Sequence, residues 1–359
     1  MPKIVLFGAT GYTGRLTAQA LVARGATPVL AARNPDALAK LAADIGGAET
    51  AVADVTNPDS VRALLGRGDV LITTVGPFLR FGEPALAAAL AAGAHYFDST
   101  GEGPFIRTVF DRDAQARKAG VGLLSAFGFD YVPGNLVAAL ALNEAPEATK
   151  VDVGYFVEAP GTSGGTRASI AGMLFEHGFA LRGGRVVPER SGAKIRSFDV
   201  VGKQRTGVSI PGSEHLALSR IHPGLREADV FLGLPPLAAR GLQGGSLVAG
   251  LLGRVAPARA LAEGALAKVV KGSTGGPGPE SRARTRSWAV GEAADANGKV
   301  LATVTLNGND PYDYTSAILA WGATTVLDGG LQATGALGPV DAFGLEALTA
   351  GSAAAGFRR

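Results

Sequence analysis

The chain has 359 residues, and its 34 basic and 31 acidic side chains leave a formal net charge of +3, without the clustered positive charge of a nucleic-acid footprint. It holds no cysteine, which excludes disulfides and thiolate metal sites, and His95, His177, His215 and His222 lack metal-ligand spacing. Length predicts about two domains with ample core.

The first predicted element is an apolar strand over residues 3–7. It begins too near the N-terminus to leave room for a targeting peptide, so a cytoplasmic protein is expected. The strand runs into Gly8-Ala-Thr-Gly-Tyr-Thr-Gly14. In this spacing Gly8 allows a sharp turn, Gly11 lets a diphosphate approach the backbone, and Gly14 lets the following helix pack on the strand. Thr10, Tyr12 and Thr13 complete the turn, and the free N–H groups at the helix start would meet the phosphates. A helix ending near Gly25 and a second strand over 27–32 close a βαβ unit, so residues 8–14 are predicted to bind a dinucleotide. The second strand ends Ala31-Ala-Arg33-Asn34. A carboxylate here would hold the ribose 2′-hydroxyl of NAD, whereas an arginine pairs with a 2′-phosphate, so the expected cofactor is NADP(H). The plainer alternative for Arg33 is a solvated surface side chain.

Two helices are predicted to open alike, at Asn34-Pro-Asp36 and Asn57-Pro-Asp59, with an asparagine cap, proline in the first turn and aspartate meeting the dipole. Short apolar runs at 50–55, 69–75, 95–99 and 121–127 read as strands covered on both faces. Together these give about six parallel strands in a doubly wound Rossmann-type sheet over residues 1–130. Ligands of such sheets sit at the carboxyl ends of the strands. Asp54 and Val55 fall on the adenine side; Val75, Gly76 and Pro77 would turn the chain beneath the nicotinamide. The fifth strand leads through Asp98, Ser99 and Gly101 to Glu102, with Ser99 a further cofactor contact. The sixth leads to Gly128-Phe-Asp-Tyr-Val-Pro-Gly134. Tyr131 is the candidate proton donor and Glu102 the candidate general acid or base. Each has a structural alternative, Tyr131 as a wall residue above all, and Asp98 is expected to brace a loop.

Beyond Tyr131 the pattern changes. A helix is predicted over 135–143, a strand over 150–157, a loop over 159–165 and a helix over 167–181. Further strands are predicted at 192–201, 206–210, 282–293 and 299–307, the last two paired around Asp295-Ala-Asn-Gly298. Residues 131–311 thus read as a second, α+β domain for substrate binding and dimerisation. A helix over 312–328 is a candidate to return to the first domain, leaving 329–359 as a C-terminal segment. Residues 225–271 are strongly apolar, but Arg240 and Arg254 interrupt the run before the roughly 20 residues of a membrane span. Three readings stand for this segment: buried or homodimer-interface helices, a pocket for an apolar substrate, or peripheral attachment to a membrane.

The glycine turn, Thr74-Val-Gly-Pro-Phe78, Ala92-Gly-Ala-His-Tyr-Phe-Asp-Ser-Thr-Gly-Glu102 and Gly128-Phe-Asp-Tyr-Val-Pro133 together resemble the saccharopine dehydrogenase-like oxidoreductases. Within them the chain is most similar to the trans-acting enoyl reductases, whose second-domain patterns resemble Ser163-Gly-Gly-Thr166 and Asp310-Pro-Tyr-Asp-Tyr-Thr315. The resemblance implies an NADP-binding Rossmann domain followed by a second α/β domain. Short-chain dehydrogenases share a similar glycine turn but need a tyrosine followed four residues later by lysine. Here Tyr96, Tyr131 and Tyr155 are followed by Thr100, Asn135 and Ala159.

Saccharopine-type substrates carry several carboxylates and need basic partners. The second domain offers Arg167, Arg182 and Arg185 as its main candidates amid apolar stretches. An NADPH-dependent reduction of an activated C=C in an apolar or acyl substrate is therefore expected, with hydride passing to the β-carbon and Tyr131 or water protonating the α-carbon. A C=N or C–N oxidoreductase is the alternative enzyme, and an NADP-binding regulator without turnover the alternative class.

Overall fold

The computed structural model describes residues 1–158, 161, 163–164, 178–252 and 275–359, which fall into two compact units. The first comprises residues 1–101, 105–132 and 311–356, and the second residues 102–104, 133–310 and 357–359.

The first unit is built on seven parallel strands. These are β1 (Ile4–Phe7), β2 (Val29–Ala32), β3 (Thr50–Val52), β4 (Val70–Thr73), β5 (His95–Asp98), β6 (Gly122–Leu124) and a short strand Gly335–Ala336, in the order Gly335–Ala336, β6, β5, β4, β1, β2, β3. All residues of β1, β2 and β4 are buried, which is why their sequences are continuous apolar runs rather than alternating ones. The order reverses between β1 and β4, which lie side by side with Phe7 opposite Thr73. That switch point opens a crevice at the strands' carboxyl ends.

Six strands are expected from the sequence, and the seventh escapes that reading because two residues carry no periodicity. It pairs with β6 through Gly335 opposite Gly122. Of the two predicted helix caps, Asn34 accepts from Ala37 N at 3.0 Å and starts the helix Pro35–Asp44. Asn57 forms no capping hydrogen bond, and the helix it precedes, Pro58–Arg62, is only five residues long. Helix Pro311–Leu327 belongs to this unit. Gly322 lets it lie against the sheet, since a methyl group there would stand 2.7 Å from the Phe127 ring and 2.9 Å from Phe97.

The second unit holds a mixed sheet of nine strands: β7 (Lys150–Glu158), β8 (Phe179–Arg182), β9 (Arg185–Pro188), β10 (Ile195–Val200), β11 (Lys203–Ile210), β12 (Glu227–Gly233), β13 (Arg286–Ala294), β14 (Val300–Gly308) and a last pair of residues, Phe357–Arg358. The main path runs β10, β11, β12, β7, β13, β14, Phe357–Arg358, with β8 on β12 and β9 on β8. On one face Gly154, Gly207 and Gly233 leave room for the rings of Phe156, Phe198 and Phe231, which with Val200 and Val290 make a buried cluster. The predicted hairpin is present: Asp295 Oδ1 accepts from Asn297 N and Lys299 N, both at 2.9 Å, and Gly298 takes φ +84°.

Three expectations change in this unit. Residues 179–182 are a strand, not the end of a helix, because Gly183 and Gly184 at φ +57° and +75° fold them back onto β9. Residues 167–177 of that predicted helix, with Arg167 and His177 among them, and the last two residues of the Ser163–Thr166 motif lie outside the described residues. Residues 282–284 end a short helix, Pro279–Arg284, before β13 begins. The apolar segment 225–271, for which buried or interface helices are one of three readings, begins with β12, an inner strand, followed by the helix Pro236–Leu252; residues 253–271 lie outside the described residues. Among the described residues no helix is long and apolar enough to cross a membrane.

Candidate dinucleotide and active site

The first-unit site starts from one turn. Gly8, at φ +89°, donates from its N–H to Ala31 O at 2.8 Å, and Ala9 N shares that acceptor at 3.1 Å. The turn is also tied to β4, because Thr74 Oγ1 donates to Gly8 O at 3.1 Å and Thr74 N to Phe7 O at 2.9 Å. A side chain at Gly8 would stand 2.7 Å from Thr74 Oγ1 and 2.9 Å from a Val75 methyl. Helix α1 (Tyr12–Ala23) then leaves the turn, and a methyl at Gly14 would stand 2.2 Å from Gly8 O. Gly14 therefore serves helix packing. Gly11 differs, since a methyl there would meet only Gly8 O, at 3.2 Å, within 4 Å. Space beside Gly11 is open, and α1 begins with no side-chain cap and no acidic residue in its first turn. Its uncapped N–H groups and positive dipole end suit a diphosphate in that space.

The other turn residues have local roles. Thr10 O accepts from Arg15 Nε at 3.0 Å, and Thr13 O accepts from Thr17 Oγ1 at 2.9 Å. The Tyr12 ring meets Tyr312 edge to face at 5.0 Å between centroids, so helix Pro311–Leu327 furnishes an aromatic neighbour to the turn. Sequence reasoning missed Tyr312 as a site residue, although the motif containing it was visible. In the same motif Thr315 Oγ1 accepts from Phe129 N at 3.0 Å, fixing the chain after β6.

Past β2, Arg33 is exposed. It is near enough to Asp54 to help hold that carboxyl below its usual range, although hydrogen bonds from Thr56 contribute more. Thr56 N and Oγ1 donate to Asp54 Oδ1 at 2.8 and 2.9 Å, closing a tight turn in front of the partly buried Val55. After β4, Val75 and Pro77 are partly buried and Gly76 is exposed, and Pro77 leads into the short helix Phe78–Phe81.

At the ends of β5 and β6, Asp98 is fully buried. Its Oδ1 accepts from Thr100 N at 3.0 Å and Ala126 N at 2.8 Å, while Oδ2 accepts from Ser125 Oγ at 2.8 Å. The carboxylate thus braces two loops, as expected of it, and flanks the partly buried Ser99. Ala126 has φ +57°, a left-handed conformation costing about 1–2 kcal/mol without glycine. The hydrogen bond that its N–H gives to Asp98 helps to offset that cost. Ala126 O in turn accepts from Tyr131 N at 2.8 Å, and Tyr131 OH donates to Gly101 O at 3.3 Å. Asp130 Oδ2 also approaches Gly101, lying 3.4 Å from where a Cβ there would be. Burial pushes the Asp98 and Asp130 carboxyls up to about 6, with the hydrogen bonds to Asp98 opposing the shift. Tyr131 and Asp130 therefore share one site with Gly101. Glu102 is buried but falls in the second unit, a different unit from Tyr131.

In the second unit several of the described arginines are engaged by the chain's own carboxylates. Arg182 binds Glu189 through Nε and Nη2 at 3.1 and 2.6 Å and Asp229 at 2.6 Å, so one of the predicted substrate-binding arginines is already paired. Arg196 pairs with Asp152 and Glu292, and Arg205 with Glu158. A cavity of about 560 Å³ opens over this network, lined by Asp152, Lys194, Arg196, Asp229, Phe231 and Arg240 among others. Burial pushes the Asp152 carboxyl up to about 6 against the pull of Arg196. Three histidines make ordinary backbone contacts, His95 with Gly122 N, His215 with Gly212 and His222 with Ala148 O.

Residues 4–123 match the family described as saccharopine dehydrogenase NADP binding domain. The chain carries a saccharopine dehydrogenase-type NADP-binding domain. Its cofactor is NADP(H). Among curated relatives, a putative trans-acting enoyl reductase of Mycobacterium tuberculosis is 39% identical over 183 residues, 48% of this chain and 44% of that protein. A trans-acting enoyl reductase of Mycobacterium leprae is 41% identical over 140 residues, 37% of this chain and 34% of that protein. The chain thus matches less than half the length of these relatives. An apo saccharopine dehydrogenase (L-Glu forming) from Saccharomyces cerevisiae shares the fold, with a TM-score of 0.60 at 13% identity over 98% of this chain and 96% of that one.

Gly11→Val in the saccharopine dehydrogenase-type domain should abolish NADPH binding with little change in melting temperature. Gly14→Ala should instead cost stability, about 1–3 kcal/mol, by forcing the helix off the turn. Arg33→Asp should weaken NADPH about ten- to hundredfold more than NADH. Fluorescence titration of both cofactors alongside thermal melts checks all three, and equal behaviour of the Gly11 and Gly14 variants would contradict the division of roles.

The raised Asp98 carboxyl also makes stability depend on pH. Its native value of about 6 exceeds the unfolded value of 3.8, so the native state binds the proton more tightly and stability falls as pH rises from about 4 to 6. Asp98→Asn keeps the shape without the charge, and is expected to raise stability at pH 8 by on the order of 2–3 kcal/mol relative to its effect at about pH 3.5. Urea unfolding at the two pH values measures the difference.

Proposed function

We propose that this chain is an NADPH-dependent oxidoreductase reducing an activated C=C, such as that of an α,β-unsaturated acyl group. The observation that carries the oxidoreductase reading is the open space at Gly11, set at the β1/β4 switch point before an uncapped helix. Support for a C=C comes from the relatives named trans-acting enoyl reductase. It comes also from Arg182, Arg196 and Arg205, whose charges are matched within the chain and so are poorly placed to receive a substrate with several carboxylates.

When bound, NADPH supplies the hydride that reaches the β-carbon of the acyl group. The glycine turn would hold the diphosphate, and Arg33 would select the 2′-phosphate. Val75, Gly76, Pro77 and Ser99 would border the nicotinamide end. Tyr131, held by Ala126 and Gly101, keeps a phenolic proton at the ends of β5 and β6, where it can pass to the α-carbon.

A second reading, reduction of C=N in an amino-acid-like substrate, rests on the cavity that carries Asp152, Lys194, Arg196, Asp229 and Arg240, since side chains of both signs suit a zwitterion. The two readings differ in what turns over. An acyl substrate gains roughly 0.8 kcal/mol per buried methylene, so kcat/KM for NADPH oxidation should rise with chain length across a series of enoyl thioesters until the site is filled. Turnover of saccharopine or cyclic imines with no enoyl thioester would replace the first reading with the second.

A further inference from the structure

We propose that Asp98 is a positioning residue for Tyr131, setting both ends of the contact that places the phenol. This rests on the reading of Tyr131 as proton donor. The buried carboxylate accepts from Thr100 N at 3.0 Å, one residue before the Gly101 carbonyl that receives the Tyr131 hydroxyl. The same Oδ1 accepts from Ala126 N at 2.8 Å, and Ala126 O receives Tyr131 N at 2.8 Å. Asp98 O also accepts from Phe127 N at 2.8 Å, so backbone and side chain of one residue grip the β6 loop together. Ala126 could leave its left-handed conformation if its N–H lost that acceptor, and Tyr131 N would move with it. Every bond in this circuit lies between residues of the first unit.

The circuit depends on acceptor geometry rather than on charge, which separates asparagine from shorter replacements. In Asp98→Asn the new amide oxygen can still accept from Thr100 N and Ala126 N, and its NH2 can donate to Ser125 Oγ. Alanine offers no acceptor, and serine ends an atom too short to reach both amides.

The test uses full-length protein labelled with 3-fluorotyrosine, whose six tyrosines give separate fluorine signals. The Tyr131 signal is assigned by its loss on Tyr131→Phe in each background. Asp98→Ala should move it toward the position of an exposed tyrosine and lower kcat tenfold or more, with KM for NADPH unchanged. Asp98→Asn should leave the signal in place and restore kcat to within about twofold. If Asp98→Ala fails to fold, Asp98→Ser provides the same measurement. An unmoved Tyr131 signal in the alanine or serine variant, or an asparagine variant displaced as far as either, overturns the assignment. Wild-type turnover in Tyr131→Phe would remove Tyr131 from proton delivery, and the fluorine result would still decide whether Asp98 positions it.

Discussion

Between the carbonyl of Gly8 and the α-carbon of Gly14 there is no room for a side chain, since a methyl at Gly14 would stand 2.2 Å from that oxygen. This close approach lets α1 start directly over the end of β1. The same carbonyl receives Thr74 Oγ1 from β4, and the turn takes its other anchor from Ala31 at the end of β2. Three strand ends are thereby held to one backbone turn. The open space beside Gly11, the position of Arg33 after β2 and the placement of residues 75–77 after β4 all follow from it.

Farther along the same edge a second device takes over. The ends of β5 and β6 carry no glycine turn, and their loops are joined by a buried carboxylate at Asp98. Burying an ionised group is costly, and burial raises the Asp98 carboxyl although hydrogen bonds from Ala126, Thr100 and Ser125 pull it the other way. A hydrophobic residue would avoid that cost but could not hold a left-handed Ala126. The first unit therefore combines a rigid glycine turn, fixed by the absence of side chains, with a polar brace that orders the loops after β5 and β6. In the second unit, charge is arranged differently, in lateral pairs across strands, where Asp229 stands opposite Asp152 and Asp152 opposite Glu292, each balanced by lysine or arginine.

What was legible in the sequence was local. Residues 8–14 announce themselves because backbone sterics alone demand glycine there, and Arg33 because one position after β2 decides the sugar contact. The Asp295–Gly298 turn was readable for the same reason. The seventh strand was not, since Gly335 and Ala336 become a strand only by meeting β6, more than two hundred residues earlier. The hairpin of β8 and β9 was hidden by an apolar run that fits helical spacing as well, until Gly183-Gly184 is weighed as a two-residue turn. Pairing of Arg196 with Asp152 and Glu292, and the meeting of Tyr12 with Tyr312, are tertiary facts without a sequence period. Such contacts decide which charges and rings are available to a ligand, so the chemistry of the substrate was less readable than that of the cofactor.

The central claim is that the chain moves hydride from NADPH to carbon in an activated C=C. It is tested most directly with NADPH deuterated separately at each face of nicotinamide C4, a medium-chain enoyl thioester and mass spectrometry of the product. The account predicts a saturated thioester carrying one deuterium, at the β-carbon, from one of the two labelled cofactors and none from the other. A saturated product free of deuterium from both, or label found only in a reduced imine, would contradict it.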